Sequence, residues 1–233
     1  MAQYLTTVAF DADDTLWHNE RFFQLTQARF ADLLVNYTDA ATLMDRLVAA
    51  ERRNLGHYGF GVKGFTLSMI ETAIEVTGGR VTGAEIGEII EAGQEMLRHP
   101  VDLLPGAREA VVAAKKTHRI LLITKGDLLD QERKLAQSGL GDLFDGVEIV
   151  SDKTPQIYAE IFKRHGDGPA RGMMVGNSMK SDVLPMIAAG GWGVFVPHGF
   201  EWELEKAAPP QDSDKFASLS DLGQLGHLVE QIA

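Results

Sequence analysis

Apolar residues along the chain fall into two kinds of pattern. Short apolar runs stand at "TTVAF" (6–10), "RILLIT" (119–124), "GVEIV" (146–150), "GMMVG" (172–176) and "GVFVP" (193–197). Runs this short, rich in β-branched and other apolar residues, predict strands buried on both faces. Between them lie stretches with helical spacing: "GAREAVVAAKKT", "LLDQERKLAQSG", "TPQIYAEIFKRHG" and "SDVLPMIAAG". Strands alternating with helices predict a parallel α/β sheet of Rossmann-like type. A polar loop, "APPQDSD" at 208–214, precedes a last helix near 220–231.

Residues 17–100 break the alternation. They predict four helices, at about 20–36, 39–53, 64–77 and 82–97, and no strand. Thr38 or Asp39 offers an N-cap, and "TGGRVTGAEIGEII" marks a stop and a restart. Pro100 and "LPG" at 104–106 punctuate the return to α/β order. The reading is a core of residues 1–16 and 101–233 with a helical domain, 17–100, inserted after the first strand. The segment "ERRNLGHYGFGVKGFT" (51–66) reads as a basic, aromatic, glycine-rich connection between two of those helices. It suits either a mobile loop for an anionic substrate or a plain linker. Trp17, directly after the first strand's acidic cluster, reads first as a packing residue.

Composition adds constraints. Of 233 residues, 45% are hydrophobic and 24% charged, an ordinary globular balance with enough apolar content for a buried sheet. The formal net charge of −11 disfavours nucleic acid and anionic membrane surfaces, and the densest basic stretch, "AAKKTHR" at 113–119, looks like a helix end. The chain has no cysteine, which excludes disulfides and thiolate metal sites. "MAQYLTTVAF" lacks the pattern of a signal peptide, and no window approaches the ~20 apolar residues of a membrane span. These features lead to the expectation of a cytoplasmic protein, monomeric or homodimeric.

Open parallel sheets bind ligands beyond the carboxyl ends of their strands. There the first strand delivers Asp11, Asp13 and Thr15, and the second delivers Thr124, Lys125 and Gly126. The third delivers Asp152 and Lys153; the fourth delivers Gly176, Asn177, Ser178 and then Asp182. Carboxylates for a hard cation, a hydroxyl, ammonium groups and backbone N–H groups together suit a phosphoryl group held beside Mg²⁺.

In these four segments the chain resembles the haloacid dehalogenase superfamily. "FDADDT" is similar to its motif DxDxT, and "LLITKG" to the apolar strand ending in Thr or Ser. Lys153 in "SDKTPQIY" matches the third motif, and "VGNSMKSD" the fourth, usually GDxxxxD. The motifs occur in family order, and the helical insertion resembles a C1-type cap. The resemblance implies a phosphatase acting on a small phosphorylated metabolite. Asp11 would be the nucleophile and Asp13 the general acid and base. Thr124, Lys125, Gly126 and Lys153 would hold the phosphate. Mg²⁺ would sit on Asp11, the Asp13 carbonyl and Asp182. Asn177, where the family often has Asp, would be either a neutral ligand or a residue behind the ligands. Asp14 would point away into a local hydrogen bond. The alternatives are a phosphotransferase or phosphomutase of the same family, a haloacid dehalogenase, a non-catalytic phosphate-binding module and a receiver-like domain. Asp13 speaks against the dehalogenase, and the long insertion against the receiver.

Overall fold

The structure, a computed structural model, describes residues 4–200 and 202–232. The first three residues of the N-terminal stretch, with Glu201 and Ala233 at positions assigned to the core, lie outside the described residues. The chain divides into two compact units: Met1–Glu20 with Val101–Lys125 and Gln131–Ala233, and Arg21–Pro100 with Gly126–Asp130. Residues 17–20 thus group with the sheet, and 126–130, beyond the second strand, group with the helices, where the sequence pattern had suggested a single insertion at 17–100.

The first unit holds a parallel sheet of β1 (Thr7–Phe10), β2 (Arg119–Lys125), β3 (Gly146–Val150), β4 (Gly172–Gly176), β5 (Trp192–Phe195) and β6 (Phe216–Ser218). Its order is β3-β2-β1-β4-β5-β6. The α/β expectation holds, and a three-residue edge strand, β6, extends the five that the apolar runs marked. Phe10 stands opposite Leu122 on one side and Val175 on the other, so β1 is central. Its alternate residues feed two cores, as a sheet covered on both faces requires. Val8 and Phe10 join Ile120, Leu122, Met173 and Val175 in one; Ala9 joins Leu121, Ile123, Met174, Tyr158 and Phe162 in the other.

The second unit is helical: α1 (Glu20–Leu33, whose first residue belongs to the sheet unit), α2 (Ala40–Tyr58), α3 (Val62–Val76) and α4 (Gly83–Arg98). Phe30, Leu43, Leu47, Phe65, Met69 and Ile89 form its core. Asp39 caps α2, accepting from Thr42 N at 3.0 Å. Thr82 and Glu85 make a capping box on α4. The expected long connection at 51–66 is mostly helix. Helix α2 runs through Tyr58, and only residues 59–61 separate it from α3. The break falls at Gly59 and Gly61, both at positive φ, where the missing Cβ removes the steric cost.

The sheet unit's other helices are α5 (Ala107–Lys115), α6 (Leu128–Ser138, which begins in the helical unit), α7 (Pro155–His165), α8 (Leu184–Ala188) and α9 (Leu225–Ile232). One turn of π-helix, Met179–Val183, precedes α8. Among the described residues no helix is long and apolar enough to cross a membrane.

Candidate active site

The strand order reverses between β1 and β4, the switch point at which open α/β sheets leave a crevice beyond their carboxyl ends. The chain continues there with Asp11 from β1 and with residues 177–182 from β4. Asp11 N still donates to Val175 O at 2.9 Å, so the ladder fixes the nucleophile candidate's backbone.

Lys153 sits between two carboxylates. Its Nζ donates to Asp11 Oδ1 at 2.5 Å and to Asp182 Oδ1 at 2.6 Å, and all three side chains are nearly inaccessible. Burial pushes the Asp11 carboxyl up to about 7; Lys153 opposes the shift, while Asp182 and Asp13 add to it. For Lys153 the two carboxylates outweigh burial and hold the ammonium charged. One ammonium therefore faces more negative charge than it offsets.

The β4 end is shaped for Asp182. The π-helical turn brings Asp182 back over its own strand, a form of helix often found at functional sites. Ser178 N donates to Asp182 Oδ2 at 2.9 Å. A Cβ on Gly176 would collide with the Asp182 carboxylate, so glycine is needed for the close approach. Asn177 is tied to Thr15: Asn177 N donates to Thr15 Oγ1 at 3.0 Å. The Thr15 hydroxyl, with one proton, has Asp11 Oδ2 and Asn177 Oδ1 each at 3.2 Å as acceptors. Thr15 thus joins the β1 and β4 ends. Hard oxygen donors from Asp11, Asp182 and Asn177, and a buried excess of negative charge, form a donor set that fits Mg²⁺.

Thr124 is buried at the end of β2, its hydroxyl 3.4 Å from Lys125 O. Lys125 Nζ donates to Ser181 Oγ and Glu205 Oε1, both at 2.8 Å. Glu205 also accepts from Ser178 Oγ at 2.6 Å and from Ser181 Oγ. Burial works against the charged Glu205 carboxylate, but Lys125 and the two serines more than compensate, so its pKa lies below the usual range. The structure therefore places Lys125 in an ion pair with Glu205, and Gly126, at φ 134°, in the helical unit. Glu205 carries no sequence signal, since "WELEKA" reads as surface.

Asp13 meets three further groups that sequence reasoning missed. Trp17 Nε1 donates to Oδ1 at 2.7 Å and Gln131 Nε2 to Oδ2 at 2.8 Å. Lys134 Nζ reaches both oxygens, at 3.0 and 3.1 Å. Trp17 is a core residue, as its size suggests, and a donor as well. The available signal was a polar pair at i and i+3 on the helix after β2, a spacing that puts both on one face.

Asp14 faces elsewhere. Its two oxygens accept from Asn19 N and Glu20 N, each at 2.8 Å. It is the one non-glycine residue at positive φ among those described, at 60°. His18 and His198 stand beside it, with His198 Nδ1 at 3.6 Å from Asp14 Oδ1. Both Asp14 oxygens are engaged by the turn they hold, which makes this trio a local scaffold.

A family model described as haloacid dehalogenase-like hydrolase matches residues 5–190. A solved haloacid dehalogenase-like family hydrolase from Xanthomonas campestris is 42% identical, with TM-score 0.89, over 99% of this chain and 92% of that one. The glyceraldehyde 3-phosphate phosphatase of Methanothermobacter thermautotrophicus is 25% identical over 238 residues, covering 97% of this chain and all of the relative. A pyrimidine 5'-nucleotidase of Escherichia coli is 28% identical over 189 residues, 78% of this chain and 82% of the relative.

Proposed function

The chain belongs to the haloacid dehalogenase-like hydrolase family, and from that premise we propose that it is a Mg²⁺-dependent phosphatase of small phosphorylated metabolites, working in the cytoplasm. The observation that carries the reading is the buried Asp11–Lys153–Asp182 arrangement at the switch point. The two relatives named for a sugar-type phosphate and a nucleotide support small phosphate monoesters as the substrate class.

In this reading an Asp11 carboxylate oxygen attacks phosphorus, and the bond from phosphorus to the ester oxygen breaks. Asp13 gives its proton to that leaving oxygen and later takes one from the water that attacks the aspartyl-phosphate. The water's oxygen leaves with phosphorus, and Asp11 is regenerated. Lys153 offsets negative charge that builds between Asp11 and the phosphoryl group. Thr124 would hold a phosphoryl oxygen. Lys125 would have to share its ammonium between the phosphoryl group and Glu205. Asp11, the Asp13 carbonyl and Asp182 would hold Mg²⁺, with Asn177 beside them. When bound, the ion would neutralise phosphate charge. A dehalogenase would make no use of a second acid at Asp13, which four hydrogen bonds hold here.

The test is release of inorganic phosphate from p-nitrophenyl phosphate and a panel of small phosphate esters, with Mg²⁺ and with EDTA, for wild type and Asp11→Asn. Release that needs Mg²⁺ and vanishes in Asp11→Asn is expected. No release from any ester overturns the reading.

A further inference from the structure

We infer that Lys134, acting with Gln131 and Trp17, is a positioning residue for the Asp13 carboxyl group; the inference rests on the phosphatase reading. The observation is a clamp of four hydrogen bonds. Oδ1 accepts from Trp17 Nε1 and Lys134 Nζ, and Oδ2 accepts from Gln131 Nε2 and Lys134 Nζ. The same ammonium donates to Asn19 Oδ1 at 2.8 Å, and Gln131 Nε2 also donates to Lys125 O at 3.2 Å. Lys134 therefore ties together the Asp13 carboxyl and the turn that follows it. Gln131 ties the same carboxyl to the end of β2.

The site needs this second cation. Lys153 is committed to Asp11 and Asp182. Asp13, two residues from Asp11, adds a third acidic group to the same strand end, and like charges so close repel. Lys134 reaches it from α6, with a side chain largely removed from solvent. The donors also come from separate segments, the turn after β1 and the middle of α6. They fix the direction of the carboxyl through tertiary structure, where an unclamped carboxyl would rotate about its last torsion.

Direction matters because an acid–base group works only within hydrogen-bond reach of the atom it serves. Lys134 itself touches no reacting atom; it acts through Asp13 alone. Its loss should appear in turnover while substrate binding stays intact.

The experiment measures kcat and KM on p-nitrophenyl phosphate for wild type, Lys134→Met and Lys134→Arg, with the rise in Tm on adding Mg²⁺ as a second readout. Lys134→Met should lower kcat about 10- to 100-fold, the order expected for a misplaced catalytic group, with KM within about twofold. Lys134→Arg should recover most of the rate, and the Mg²⁺-induced rise in Tm should match wild type in both. An unchanged kcat in Lys134→Met overturns the inference. So does a loss confined to KM, which would make Lys134 a substrate ligand, or a loss that only follows the folded fraction. If Lys134→Met does not fold, Gln131→Leu carries the test: a fall in kcat at constant KM supports the clamp, and an unchanged kcat overturns it. A wild type that releases no phosphate fails the phosphatase reading and takes this inference with it. An active wild type with an unaffected Lys134→Met fails the inference alone.

Discussion

Lys153 Nζ and Asp11 Oδ1 meet at 2.5 Å across 142 residues of chain. The pair joins the end of the central strand to the loop between β3 and α7. Asp182 closes the arrangement from the other side at 2.6 Å. Removing the ammonium leaves two buried carboxylates facing each other. Lys153→Met should therefore lower kcat by about 10²- to 10³-fold, the scale of losing one electrostatic stabiliser of the transition state. Steady-state kinetics checks this, and the far-UV circular dichroism of the variant should remain that of wild type.

Asp11 also sets a pH dependence. Its carboxyl is pushed up to about 7 from an ordinary 3.8, burial being the largest cause. The folded protein then holds a proton between those values that the unfolded chain has released. The stability this contributes is complete below the unfolded value and is lost as pH rises through about 7. Denaturant unfolding in EDTA should show stability from this group falling from about pH 4 to about pH 7 in wild type and levelling off above that. Asp11→Asn should flatten that part of the profile.

Gly176 tests the close approach behind Asp182. A Cβ there would strike the Asp182 carboxylate and force it to move. Gly176→Ala is expected to lower Tm and to abolish most of the Mg²⁺-induced rise in Tm. Thermal unfolding with and without Mg²⁺ decides it.

Asn177 tests the departure in the fourth motif. Its Oδ1 faces the Thr15 hydroxyl at 3.2 Å, a contact that a carboxylate can keep as acceptor. Asn177→Asp adds a charge beside Asp11 and Asp182 and should leave Mg²⁺ affinity unchanged or tighten it. Titration calorimetry with Mg²⁺ checks this; a large loss of affinity would show that the amide is required.

Asp11, Asp13, Thr124, Lys153 and Asp182 were legible because each follows an apolar run, and in a parallel sheet every such run ends on the same edge. Local patterning also carried the four inserted helices, since their apolar periodicity and caps are properties of neighbouring residues. It failed at 51–66, where glycine and aromatic residues suggested a loop but α2 continues to Tyr58. There, buried Glu51 and Asn54 continue the inward face of the helix, so tertiary burial outweighed composition. It failed also at β6, three residues long, too short for any period to show.

The strand edge on which the acids gather follows from the order of apolar runs, because alternating strands and helices admit few topologies. Which side chains partner those acids does not follow from that order. Lys134 reaches Asp13 over 121 residues and Glu205 reaches Lys125 over 80. These are long polar side chains on a helix and a surface-like turn; the i, i+3 spacing of Gln131 and Lys134 puts them on one face but does not say which group that face meets. Only the folded chain brings them to the partly buried Asp13 carboxylate and Lys125 ammonium, where an unpaired charge would be costly. The candidate groups are thus written in local pattern, and their electrostatic support exists only in three dimensions.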